Sequence, residues 1–196
     1  MNEERGLHIS DSNFYPYIIL FSIYVIGMAY AVIHSIKLVQ LGPLNTEAGM
    51  LIYAITYALT DIVNEVYGKR YAKKMVWGSV IGLVTAYLFT QLSLALPAAE
   101  NWEYEHEFTT IFDMGLRVFI AGLITITISQ MLDITIYSRI MAYTGKRMLW
   151  LRNNVSTITG GVVNAIIFYP IAFYGVFPIG DIMISAMIVS IIIALC

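Results

Sequence analysis

The chain breaks into long apolar runs separated by short polar joints, and those runs limit what it can fold into. Apolar stretches fill residues 14–36, 48–67, 75–97, 115–141 and 153–175, and a last one starts at residue 182. A helix of about 20 such residues crosses a hydrocarbon core about 30 Å thick. Only 12% of the residues are charged and the mean hydropathy is +0.74, whereas soluble domains carry about 25% charged residues. The sequence therefore predicts an all-α, polytopic membrane protein with six transmembrane helices in one bundle. Residues 1–13 make a polar tail and residues 14–196 the transmembrane domain, with no room for a soluble catalytic domain. The tail lacks a cleavable signal's basic start and the first run is too long for one, so that span is expected to stay in the membrane. The last run, residues 182–196, would reach roughly 22 Å as a helix; either it is re-entrant or the chain stops before its natural end, and the second is the expectation. Its single cysteine, Cys196, allows no disulfide within one chain. A net charge of −2 argues against nucleic-acid binding.

Charge placement gives an orientation. Lys69, Arg70, Lys73 and Lys74 are read in one connection, and Arg139, Lys146, Arg147 and Arg152 in another. Basic loops stay on the cytoplasmic side, and two spans separate these, so both termini are expected there. Residues 98–113 between them carry Glu100, Glu103, Glu105, Glu107 and Asp113 with no Lys or Arg. With His106 this loop has the groups to hold a cation, but a solvated face suits such a run better. Trp102, Tyr104 and Phe108 suggest a segment lying at the outer interface.

Against that apolar background, Asp61 and Glu65 stand out. Four residues apart, they share one helix face, and ionisable groups at membrane depth usually face a cavity, a partner or a substrate. The simpler alternative is pairing with Lys69 or Arg70. Asp61 lies about 12 Å along the helix from Lys69, and Asp133 roughly 9 Å from Arg139, so the two aspartates should share a layer. Ser129 and Gln130 sit one turn farther out, and Asn164 deeper, near mid-membrane. Polar groups from three helices are what a binding cavity in a bundle requires; a lone Asn164 equally suits a helix–helix hydrogen bond. Gly78, Gly82, Gly115, Gly122, Gly160 and Gly161 fit close helix packing, and Pro170 fits a kink. His8 and His34 near the membrane ends suggest no role.

Several chemistries lack their motifs. Thr144-Gly145-Lys146-Arg147 has neither the spacing nor the hydroxyl of a phosphate loop, and HExxH, CxxC and GxSxG do not occur. No metal or cofactor site and no catalytic residue are expected. A paired-aspartate protease through Asp61 and Asp133 lacks the glycine-flanked unwound backbone that peptide cleavage needs.

Four motifs then occur in order: Asp61-x-x-x-Glu65-Val66-Tyr67-Gly68; Ser129-Gln130-x-x-Asp133-x-x-Ile136; Leu149-Trp150-Leu151-Arg152-Asn153-Asn154-Val155-Ser156-Thr157; and Ile171-Ala172-Phe173-Tyr174-Gly175. Over residues 45–190 the chain resembles the queuosine-precursor transporter family of the vitamin-uptake transporters. The resemblance implies a six-helix carrier in the prokaryotic plasma membrane that imports 7-cyano-7-deazaguanine or its 7-aminomethyl relative. One departure is plain: where the family repeats Ser-Gln-x-x-Asp in the fifth span, this chain has Gly160, Gly161 and Asn164.

Such a ligand offers N1–H and an exocyclic amine side by side, a donor edge that one carboxylate accepts. The expected binding groups are Asp61, Glu65, Ser129, Gln130, Asp133, Arg152, Asn153 and Asn164. Gln130, Asn164 or Arg152 would donate to the ring carbonyl, and Tyr53, Tyr57, Phe168 and Tyr169 are stacking candidates. Glu65 is read as pairing with Arg70 or Arg152, or as gating the inner mouth. Two other readings stay open: the binding subunit of a vitamin importer that uses a separate ATPase, and a membrane scaffold. A small-residue docking face on the first span would mark the former, with Gly27 and Ala31 as a weak version. The partners expected are a deazaguanine-type molecule and the bilayer, with homo-oligomers left open.

Overall fold

The computed structural model describes residues 11–113, 115–145, 147–175 and 179–195. Most of the tail, including His8, and also Lys146 and Cys196, lie outside them. Helix α1 (Asp11–His34) leads into a β-hairpin of β1 (Leu38–Leu41) and β2 (Leu44–Glu47). Helices α2 (Gly49–Val66), α3 (Lys69–Ala95), α4 (Glu105–Phe112), α5 (Gly115–Thr144), α6 (Leu149–Phe173) and α7 (Ile179–Leu195) follow. The chain is a helical membrane protein. Helix α1, α3, the stretch 105–144 that contains α5, and α6 are long and apolar enough to cross a bilayer. Helix α2, with 18 residues and both Asp61 and Glu65, is not among them, and α7, with 17, is apolar but shorter.

The hairpin departs from an all-α reading. Leu38 pairs with Glu47 and Leu41 with Leu44, so Gly42-Pro43 makes a two-residue turn with Gly42 at a φ of +63° that suits glycine. Two four-residue strands carry too little periodicity to stand out beside spans of twenty residues.

Two apolar clusters fill the bundle. Tyr24, Met28, Tyr57, Val63, Met75 and Val76 belong to the first, between α1, α2, α3 and α5. Ala121, Ala165, Phe168, Tyr169, Ala172 and Ala186 join α5, α6 and α7 in the second. Glycines set how closely helices approach. A Cβ on Gly78 would lie 2.3 Å from the Phe21 ring and one on Gly82 2.6 Å from Val25, holding α3 against α1. One on Gly161 would lie 2.1 Å from the Ser190 hydroxyl on α7. Gly27 faces Thr56 of α2, and Ala31 is buried against Gly49. These small residues pack inward and do not form an outer docking face.

The basic clusters need correction. Helix α2 ends at Val66 and α3 begins at Lys69, so only Tyr67-Gly68 connects them, with Gly68 at φ +87°. Lys69, Arg70, Lys73 and Lys74 therefore occupy the first turns of α3, where long side chains can extend to the interface. Arg139 lies within α5. Arg152 is not a loop charge at all: it lies in α6 and is 1% exposed, because it has an acidic partner inside the bundle.

Candidate functional site: a polar seam between two cavities

Helices α2, α5 and α6 meet along a line of buried polar side chains. Asp61 and Asp133, 4% and 0% exposed, come from α2 and α5 and lie close enough to interact directly, without a well-formed hydrogen bond between them. Their oxygens have no well-formed donor among the described residues. The Ser156 hydroxyl of α6 lies beside Asp133 while donating to the Asn153 carbonyl at 3.3 Å. Two acid groups this close need a hydrogen between them or donors from a ligand. Pairing of Asp61 with Lys69 or Arg70 does not describe this arrangement.

Glu65, one turn further along α2, takes the other option. Its carboxylate accepts from Arg152 at 2.6 Å and from Tyr137 at 2.9 Å. Arg152 also donates to the Gly145 carbonyl at 2.8 Å, and its guanidinium lies 5.3 Å from the centre of the Tyr137 ring. Of the two partners expected for Glu65, Arg152 is the one it has. Asn64 ties the same helices from the other side, donating to the Ile134 carbonyl at 3.2 Å and accepting from Ser138 at 3.1 Å.

Beyond this layer is an open chamber of about 920 Å³, lined in part by Asp61, Glu65, Tyr137, Trp150, Asn153 and Asn154. Small-molecule sites run to about 300–1,000 Å³. Behind the aspartates, Thr60 donates to Gln130 Oε1 at 3.3 Å, while Gln130 Nε2 has no acceptor. Ser129 and Tyr53 bond at 3.2 Å, and Tyr57 meets Tyr53 edge-on at 5.2 Å.

The seam ends at a second, small cavity of about 30 Å³, lined by Tyr53, Asn164, Phe168, Thr125, Ser35 and Glu47 among others. Expected site residues therefore divide: Asp61, Glu65 and Asn153 line the chamber, and Tyr53, Asn164 and Phe168 line the small cavity. Ser129, Gln130, Asp133 and Arg152 are buried and line neither. Tyr169 donates its hydroxyl to Glu47. None of the four stacking candidates lines the chamber, where Tyr137 and Trp150 are the aromatic residues. Sequence reasoning missed Glu47, 5% exposed, although it is the single charged residue between Lys37 and Asp61. Burial pushes its carboxyl up from the usual value, against the Tyr169 hydrogen bond.

A helical membrane protein with an internal acid-lined seam and a ligand-sized chamber has the form of a small-molecule carrier. The chain belongs to the family described as "Putative vitamin uptake transporter", which matches residues 47–196. It is 31% identical over 144 residues to a probable queuosine precursor transporter of Bacillus subtilis (strain 168), an overlap of 73% of this chain and 63% of the relative. The chain thus spans less than two thirds of that relative's length. No solved structure matches it significantly.

Proposed function

We propose that the chain is a plasma-membrane carrier that imports a queuosine-related precursor of the 7-deazaguanine type, 7-cyano-7-deazaguanine or 7-aminomethyl-7-deazaguanine. The observation that carries the reading is the Asp61–Asp133 pair beside a chamber of about 920 Å³. The relative's name points to the same ligand class.

In this reading the ligand's N1–H and exocyclic amine donate to the paired carboxyls. The ring carbonyl accepts from Gln130 Nε2, a buried donor that otherwise has no acceptor. Tyr137 and Trp150 at the chamber wall offer aromatic faces, and stacking is worth about 1–3 kcal/mol per base. The Glu65–Arg152 pair lies beside the chamber without competing for the ligand, since each group already has its counter-charge. With the basic first turns of α3 read as cytoplasmic, this reading has the chamber facing inward, the hairpin outside, and six helices across the bilayer, α2 and α7 among them.

Uptake of labelled 7-cyano-7-deazaguanine by cells unable to synthesise deazapurines tests this. Expression of the chain is expected to restore uptake, and Asp133→Asn to abolish it. Equal uptake with and without the chain contradicts the reading.

A further inference from the structure

The small cavity has a composition that carrier binding at the chamber does not use. Glu47 is buried, and among the described residues it forms no ion pair. A buried carboxylate without a counter-charge is costly, and such groups bind a proton or a cation. The charged and titratable groups on the surrounding elements do not neutralise it. Arg117 of α5 caps the end of α6 through the Ile171 and Tyr174 carbonyls, at 2.6 and 2.9 Å. His34 of α1 bonds the Tyr30 carbonyl. Lys37 before β1 makes no ion pair with it among the described residues, Asp181 at the start of α7 is another acid, and Tyr53 and Tyr169 are neutral donors.

Thr125, 1% exposed, lines the same cavity, and its hydroxyl has no hydrogen-bond partner among the described residues. Ser35, Tyr53 and Asn164 add three more oxygens. A volume of about 30 Å³ holds a water or a bare monovalent ion and is far too small for a purine-like ring. Hard cations take oxygen ligands of this kind. The cavity also connects to the seam: Tyr53 lines it and bonds Ser129, one helical turn before Asp133.

We propose that Glu47, Thr125, Asn164, Ser35 and Tyr53 form a station for a small monovalent cation, a proton on water or Na⁺, linked through Tyr53 and Ser129 to the aspartate pair. The station stands on its own geometry; its use as a driving ion rests on the carrier reading.

The test uses the full chain in lipid nanodiscs, with Na⁺, K⁺ and choline compared at equal ionic strength. If the occupant is Na⁺, Na⁺ alone raises the melting temperature saturably, and Glu47→Gln and Thr125→Val each weaken that response about tenfold. Glu47→Gln keeps an oxygen for the Tyr169 hydroxyl, so the hairpin stays anchored. If the occupant is a proton, Na⁺ has no special effect, and infrared difference spectra show a carboxyl band that changes with pH and is lost in Glu47→Gln. Identical responses to all three cations together with a pH-invariant Glu47 band would overturn the proposal and leave Glu47 as a fixed hairpin anchor. None of these readouts needs a deazapurine, so they stand apart from the carrier reading. In proteoliposomes, a gradient of the identified cation is expected to accelerate uptake by the wild type but not by Tyr53→Phe; unaltered acceleration in that variant overturns the link.

Discussion

Arg152 shows how one residue can carry more structure than its surroundings suggest. It is fully buried, yet its partner Glu65 remains 29% exposed. Removing one member of a buried pair costs about 3–5 kcal/mol, and water reaching Glu65 lowers that toward about 3 kcal/mol. Arg152→Leu should therefore lower the unfolding free energy by about that amount in a denaturation assay in detergent. Arg152→Lys should recover only part, because one ammonium cannot reproduce the fork that holds Glu65 and Gly145 together. Asp61 and Asp133 behave differently. Neither accepts a well-formed hydrogen bond among the described residues, so their Asn variants should fold and fail in ligand binding. The Asp61–Asp133 layer was legible in the sequence, because similar spacings from Lys69 and from Arg139 put the two aspartates at one depth, although Arg139 proves to lie inside α5. The role of Arg152 was only half legible: its charge placed it in a loop, and its burial depends on a partner 87 residues away.

At the scale of elements, the approach of α1 to the start of α2 hinges on Gly49. A Cβ there would sit 2.1 Å from the Ala31 carbonyl oxygen, a backbone atom that cannot swing away. Gly49→Ala should destabilise the fold by about 1–3 kcal/mol and displace the hairpin that carries Glu47. Gly122→Ala is the control, since its Cβ would meet Val32 at an ordinary 3.5 Å. Thermal melts of the two variants separate these outcomes. The long helices were readable from twenty-residue apolar runs, whose length alone selects a helix in a bilayer. The hairpin was not, because its short strands adjoin apolar spans and its buried acid is explained only by Tyr169, 122 residues away.

Across the whole molecule, the seam runs from a large chamber of about 920 Å³ to a small cavity of about 30 Å³, and in the proposed orientation the chamber faces the cytoplasm. The orientation makes that arrangement testable. A cysteine at exposed Asn45 in the hairpin should react with an impermeant maleimide added outside intact cells. One at Tyr143, which is 92% exposed near the end of α5, should react only after the membrane is opened. The reverse labelling would turn the chamber outward and exclude an inward-facing import state.

The most direct measurement is equilibrium binding of 7-cyano-7-deazaguanine to the purified protein, wild type against Asp61→Asn and Asp133→Asn, with guanine as competitor. A hydrogen bond to a charged group is worth about 1.5–3 kcal/mol, so each substitution should weaken binding about tenfold to a hundredfold while the melting temperature holds. Wild-type affinity in both variants would contradict the account, because the heterocycle would then be held somewhere other than the paired acids.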